Sequence, residues 1–272
     1  MRTLVIVVKV GGSILGEGVS STILNDIKFV KDSKNIVLVH GGGKEVTAIA
    51  GQLGKDQKFV VSPSGIKSRF TDKETASIYT MVMCGKMNKE MVASLQKVGI
   101  PSIGLSGVDG GIIQAQRKKR LIIVDERGRK RIIDGGYTGK INQVNDRLLN
   151  LILSQGYLPV ISPVAISEEH EFLNVDGDRA AAYVAGGLKA DQIIFLTDVN
   201  GLMFDGKIQS KLTSSEAKNL LPKIGFGMEK KVLASLECLD MGVKTCIISS
   251  GLIDKPISSA LRMNGCTVIT DE

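Results

Sequence analysis

Two glycine-rich turns stand within the first fifty residues, Lys9-Val10-Gly11-Gly12 and His40-Gly41-Gly42-Gly43, each directly behind a run of β-branched residues. Glycine lets backbone N–H groups close around an anion with no Cβ in the way. A helix that opens behind such a turn adds partial positive charge from its N-terminus. Lys9 supplies a full charge beside the first turn. This is chemistry for holding phosphate, although either turn alone is compatible with glycines that merely end a strand. Neither is a P-loop, because Gly41-Gly42-Gly43-Lys44 lacks the four-residue spacer and the Ser/Thr after the lysine. Only two histidines occur, His40 and His170, and no general base stands near the turns. That suits an acceptor already anionic at neutral pH, a carboxylate rather than an alcohol.

A second concentration of charge lies at residues 117–131 (RKKRLIIVDERGRKR). It holds eight Lys/Arg against two Asp/Glu, while the other 257 residues hold 27 against 26. The chain is a nearly neutral protein carrying one basic ribbon. Such a ribbon attracts an acidic partner and speeds its encounter; it is also what an ordinary solvated edge hairpin uses to deter sheet aggregation. Nucleic acid is the poorer reading, since no aromatics interleave the charges for base stacking.

The elements that must position these residues follow from periodicity. Leu4–Val10 and Asn35–Val39 read as buried strands, with helices over Ser20–Lys31 and Lys44–Leu53. Strand, glycine turn and helix thus occur twice in about fifty residues, the signature of an α/β doubly wound, mainly parallel sheet flanked by helices. Asp72–Val98 reads as a long helical region broken near Gly85. Ile100–Leu105 and Pro159–Ile161 read as strands, and residues 117–134 as a hairpin around Asp125-Glu126-Arg127-Gly128. The second half repeats the pattern: a helix from Asp178, a strand Gln192–Leu196, a helix Lys230–Met241, and strands Lys244–Ile248 and Thr267–Ile269. A boundary near residue 165 divides the chain into lobes 1–165 and 166–272 on one sheet.

Bulk composition agrees. Hydrophobic residues make up 43% and aromatics 4%, with 31 glycines and no tryptophan, so the core is aliphatic, as in parallel sheets covered by helices. The four cysteines form no C-x-x-C pair and read as reduced thiols, not disulfides or a metal site. Lys9 and two glycines interrupt the first apolar run before it reaches the length of a signal core or membrane span. The expectation is a cytoplasmic protein that uses neither membrane nor nucleic acid.

Five segments, Lys9-Val10-Gly11-Gly12-Ser13, His40-Gly41-Gly42-Gly43, Asn174-Val175-Asp176-Gly177-Asp178, Leu196-Thr197-Asp198-Val199-Asn200-Gly201 and Gly227-Met228-Glu229-Lys230-Lys231, resemble in order the motifs of the amino acid kinase family, most of all its acetylglutamate kinase branch. The resemblance spans residues 4 to about 270. It implies an N-terminal lobe for the phosphoryl acceptor and a C-terminal lobe for ATP, with Mg2+ carried by the nucleotide. By position it implies that Lys9 and Lys231 stabilise the phosphoryl group in transit and that Asp178 orients them. Gly11, Gly12, Gly42 and Gly43 would line the phosphates and the acceptor. Arg69, whose planar fork suits a carboxylate, and Asn174 would bind the acceptor. Thr197, Asp198, Gly227 and Met228 would meet the nucleotide.

Ser68-Arg69-Phe70-Thr71-Asp72, Tyr137-Thr138-Gly139-Lys140-Ile141 and Asp176-Gly177-Asp178-Arg179 resemble, within that family, the carrier-protein-dependent kinases of lysine and arginine biosynthesis. These act on aminoadipate or glutamate attached to LysW, a small acidic protein. Arg117, Lys118, Lys119, Arg120, Arg129, Lys130 and Arg131 would then form the carrier-binding ribbon. The alternative is a kinase of free N-acetylglutamate. Asp176-Gly177 departs from the Asn-Ala of many acetylglutamate kinases. The chain opens at its first strand, without the extra helix that links hexameric relatives, so a homodimer is expected.

Overall fold

A computed structural model describes residues 3–15, 18–225 and 227–271. Its centre is an eight-stranded sheet in the order Lys211–Thr213, Thr267–Thr270, Thr245–Ser250, Gln192–Thr197, Val5–Val10, Asn35–His40, Leu158–Ser162, Ser102–Ser106. Every neighbouring pair is parallel except Thr245–Ser250 with Thr267–Thr270. Strands from residues 5–162 fill one half and those from 192–270 the other. They meet where Val5–Val10 pairs with Gln192–Thr197.

Val5–Val10 is buried along its whole length because sheet neighbours flank it and helices cover both faces. Successive side chains point to opposite faces. Val5 and Val7 enter one core, beneath the helix Gly177–Gly187; Ile6, Val8 and Val10 enter the other, beneath Ser21–Lys31 and Pro256–Leu261. Lys9 shares the face of Val5 and Val7, which aims its ammonium toward the start of Gly177–Gly187.

The expected break near Gly85 is not a break. Lys73–Thr80, a π-helical segment Met81–Met87 and Asn88–Lys97 follow one another without an interruption. A π-helical stretch re-aims side chains relative to a regular helix, and here Met83 and Met87 come to lie against Gly42. Boundaries also shift by one or two residues: the strand expected from Ile100 begins at Ser102, and the helix expected from Lys230 begins at Met228.

Periodicity did not disclose two smaller four-stranded sheets. One runs Phe172–Asn174, Val164–Ile166, Ile113–Arg117, Gly139–Val144. The other runs Lys67–Arg69, Phe59–Val61, Arg120–Val124, Lys130–Asp134. The second contains the expected basic hairpin, and it places that hairpin in the same sheet as the strand bearing Arg69. Among the described residues no helix is long and apolar enough to cross a membrane.

Ser21–Lys31 and Pro256–Leu261, over 200 residues apart in sequence, are tied by one buried carboxylate. Asp26 accepts from the N–H groups of Ile257 (2.6 Å) and Ser258 (2.9 Å) and from the Ser258 hydroxyl. It satisfies donors that the first turn of a helix leaves without partners. Replacing Asp26 by Ala strands these donors in the core and is expected to destabilise the protein by about 3 kcal/mol, whereas Asp26→Asn, which keeps one acceptor oxygen for the two N–H groups, costs less. Chemical denaturation of the two variants checks this.

Candidate active site

The two glycine turns lie side by side at the ends of neighbouring strands. A Cβ on Gly12 would come within 3.0 Å of the Gly42 nitrogen, and one on Gly41 within 2.8 Å of the Gly12 nitrogen. Backbone against backbone cannot yield, so glycine is required on both sides of this contact. The turns do not spend their N–H groups alike. Gly11 donates to the Leu196 carbonyl (3.0 Å) and Gly41 to the Val10 carbonyl (2.9 Å), so both continue the sheet. Gly11, expected among the cofactor-binding groups, therefore has no N–H to offer a phosphate. The N–H groups of Gly12, Gly42 and Gly43 have no acceptor among the described residues, and all three glycines line a cleft of about 820 Å³.

On the wall of that cleft Asp178, 5% exposed, holds two lysines. Lys9 Nζ stands 2.7 Å from Oδ1 as an ion pair. Lys231 Nζ donates to Oδ2 at 3.3 Å. Burial pushes the Asp178 carboxyl up, but the charges of the two lysines outweigh it and hold the group below the usual carboxylate range. One carboxylate against two ammonium groups leaves the trio net cationic and facing the free N–H groups of the glycines.

Local sequence explains why Asp178 is available. Asp176 caps Gly177–Gly187, accepting from the N–H groups of Asp178 (3.0 Å) and Arg179 (3.1 Å). With the helix end satisfied by its neighbour, Asp178 turns to the lysines. Gly227, at φ 88°, opens Met228–Asp240 in a left-handed conformation suited to glycine and leaves that helix without a side-chain cap. Lys230 and Lys231 fall in the first turn; Lys230 reaches Asp176 at 3.5 Å. Arg179 forks onto Glu237 from the same helix pair.

Arg69, 9% exposed, lies farther along the cleft. Nη2 donates to the Gly43 carbonyl (2.7 Å) and Thr47 Oγ1 (3.0 Å), Nη1 donates to Gln57, and the Phe59 ring lies 5.0 Å from its guanidinium carbon. These contacts fix its plane. Asn174 also lines the cleft and donates from its amide to Thr71 Oγ1 at 2.9 Å. The structure thus gathers Lys9, Gly12, Gly42, Gly43, Arg69, Asn174, Asp178, Gly227 and Lys231 around one cavity. Thr197, Asp198 and Met228 are not on its wall: Thr197 is buried at a strand end, donating to Asp198 Oδ1 (3.0 Å), and Met228 packs toward the core.

The basic ribbon proves less uniform than its composition. Arg117 is spent locally, bonded to Gly136 O and Glu171 (2.7 Å each) and stacked 4.2 Å from the Tyr137 centroid. Arg129 and Arg131 share Asp125 at 3.2 Å. Lys118 lines the cleft. Lys119, Arg120 and Lys130 are exposed with no ion-pair partner among the described residues. Of the seven expected carrier-binding residues, Arg117 and Lys118 are half-buried, and the other five lie on the surface, Arg129 and Arg131 sharing one carboxylate there.

The family model that matches, described as the amino acid kinase family, covers residues 4–250. A protein of Nitrosopumilus maritimus, provisionally named LysW-aminoadipate/LysW-glutamate kinase, is 60% identical over 98% of this chain and 100% of its own length. One of Saccharolobus islandicus with that name is 44% identical over 97% and 99%. Among solved structures, Giardia carbamate kinase superposes with TM-score 0.70 at 15% identity, covering 100% of both chains. Neisseria gonorrhoeae N-acetylglutamate synthase gives 0.80 at 22%, covering 100% of this chain and 62% of that one.

His40, beside the second turn, is wholly buried and bonded to the Gly41 carbonyl (3.1 Å) and Ser162 Oγ (3.0 Å). Burial lowers its pKa to about 4, against the opposing pull of the Gly41 bond, so it is a neutral structural residue. Between pH 6.5 and 4 the unfolded chain binds this proton and the folded one does not. Acidification therefore favours unfolding, by about 3 kcal/mol across that window. Denaturation curves at several pH values are expected to show this slope in the native protein and its loss in His40→Gln.

Proposed function

The chain belongs to the amino acid kinase family, and from that premise we propose that it transfers the γ-phosphoryl group of ATP to the side-chain carboxylate of aminoadipate or glutamate held on the carrier protein LysW. The observation that carries this reading is the Lys9–Asp178–Lys231 trio and the free glycine N–H groups lining one cleft together with Arg69 and Asn174. The names of the relatives from Nitrosopumilus and Saccharolobus, matched over nearly full length, support the acceptor and the carrier.

The acceptor carboxylate arrives ionised, so its oxygen attacks without a base, and neutral His40 is not needed as one. The new oxygen–phosphorus bond forms as the bond to the bridging oxygen breaks, and ADP leaves with that electron pair. The product is an acyl phosphate. Lys9 and Lys231, held by Asp178 on either side, meet the charge on the group in transit, and the N–H groups of Gly12, Gly42 and Gly43 complete the cradle. These donors fit a polyphosphate. Asp178 is already committed to two lysines, which supports a Mg2+ that comes bound to ATP and neutralises its phosphates. Arg69 and Asn174 hold the acceptor; Thr197, Asp198, Gly227 and Met228 serve the nucleotide. We read residues 1–165 as the acceptor lobe and 166–272 as the ATP lobe of a cytoplasmic homodimer.

The carrier finds support in topology. The exposed charges Lys119, Arg120 and Lys130 belong to the hairpin whose Leu121 lines the cleft, in the same small sheet as Arg69. A docked acidic protein would stand at the mouth of the acceptor site.

Purified enzyme given ATP with LysW-linked aminoadipate, LysW-linked glutamate or free N-acetylglutamate is expected to release ADP with a carrier-linked acid and little with the free one; the opposite preference would sink the carrier reading. Lys231→Ala is expected to lower kcat roughly 10²–10³-fold with an unchanged melting temperature. Reversing Lys119, Arg120 and Lys130 together to Glu is expected to raise KM for the carrier-linked acid. Because exposed charges are screened, that difference shrinks at high salt.

A further inference from the structure

Lys118 is one residue from the exposed ribbon but is not part of its surface. Its backbone N–H donates to the Thr138 carbonyl (2.9 Å), extending the antiparallel pairing of Arg117 with Gly139 by one position. Thr138 in turn bridges Asn174 in parallel. Directly paired residues project to the same face of a sheet. Lys118, Thr138 and Asn174 therefore form a row across three strands, and all three line the cleft. At the usual strand spacing the row is about 10 Å long. It starts at Asn174, in the acceptor pocket, and ends two residues from Arg120, where the basic hairpin begins.

Two groups in this row are unsatisfied. Thr138 Oγ1 is buried and has no hydrogen-bond partner. Lys118 is half-buried, and its ammonium makes no ion pair or hydrogen bond among the described residues. The acids in its surroundings, Asp176 and Glu237, are already paired with Lys230 and Arg179. Burial lowers the pKa of Lys118, and the charges of Arg179 and Lys140 lower it further. A partly desolvated cation among other cations, beside an orphan hydroxyl, is an arrangement completed by an anionic oxygen.

We propose that Lys118 and Thr138 form an anion subsite, gripping a carboxylate on the acyl arm through which the acceptor's nitrogen is joined to its carrier. This rests on the carrier reading above and adds a cleft-wall contact to surface docking. An acceptor carried on another protein leaves the pocket as a chain, and the row runs from pocket to hairpin. A neutral N-acetyl group has no charge to offer Lys118, so the subsite also discriminates between acyl arms.

The test measures the affinity of the full-length protein, by calorimetry with ADP present, for glutamate acylated on nitrogen by succinyl, which bears a carboxylate, or by acetyl, which does not. The native protein is expected to bind the succinyl compound about tenfold more tightly, as suits one charge-assisted contact. Lys118→Met is expected to erase that preference, Lys118→Arg to keep most of it, and Thr138→Val to reduce it about threefold. A native protein that binds both acids equally, or neither, overturns the subsite, as does a Lys118→Met variant that keeps the preference. Turnover of the carrier-linked acid by the native enzyme is read separately. If that fails, the carrier reading falls; if it succeeds while the two small acids bind alike, only the subsite falls.

Discussion

The site is organised around one buried carboxylate that compensates two ammonium groups, one buried and one part-buried. Lys9 comes from the central strand, Asp178 from a helix on one face of the sheet, and Lys231 from a second helix beside it. Removing ions from water is costly, and their attraction offsets that only if partners are held in place. Here the holding is distributed: Asp176 caps the first helix, Lys230 reaches Asp176, and Arg179 forks onto Glu237. These contacts keep the two helices in register. The surplus positive charge of the trio is then aimed at the cleft instead of being neutralised within the fold.

Close backbone packing is the second constraint. Gly12 and Gly41 touch so nearly that neither tolerates a Cβ, and Gly42 has methionine sulfur on its other side. The π-helical segment supplies those methionines, and the His40–Ser162 pair sits beneath. Local irregularity in a long helix and a neutral histidine in the core thus serve the same end, the rigid placement of three free N–H groups. Preorganised donors cost no rearrangement when charge develops near them.

Much of this was legible in the chain because it depends on local order. Strand, glycine turn and helix follow from periodicity and glycine placement, and the hairpin from its turn residues. The small sheets were not legible: most of their strands are short, and the pairings that assemble them, Val164–Ile166 with Ile113–Arg117 and Phe59–Val61 with Arg120–Val124, join segments far apart in the chain. Gly11 illustrates the same limit on a smaller scale. Its type matches a phosphate turn, but whether its N–H is free depends on where the Leu196 carbonyl ends up, 185 residues away.

The ribbon at 117–131 separates what each level decides. Its composition established by itself that positive charge is concentrated there, and its turn residues that a hairpin carries it. Composition cannot say which face each charge takes, since neighbouring side chains on a strand point opposite ways. Only the tertiary structure turned Arg117 onto Tyr137 and Glu171, committed Arg129 and Arg131 to Asp125, left Lys119, Arg120 and Lys130 in solvent, and sent Lys118 into the cleft. The sequence by itself determined the inventory of charges and the order of the elements. Packing decided which charges are spent on the fold and which remain for a ligand, because burial and pairing are properties of neighbours distant in the chain.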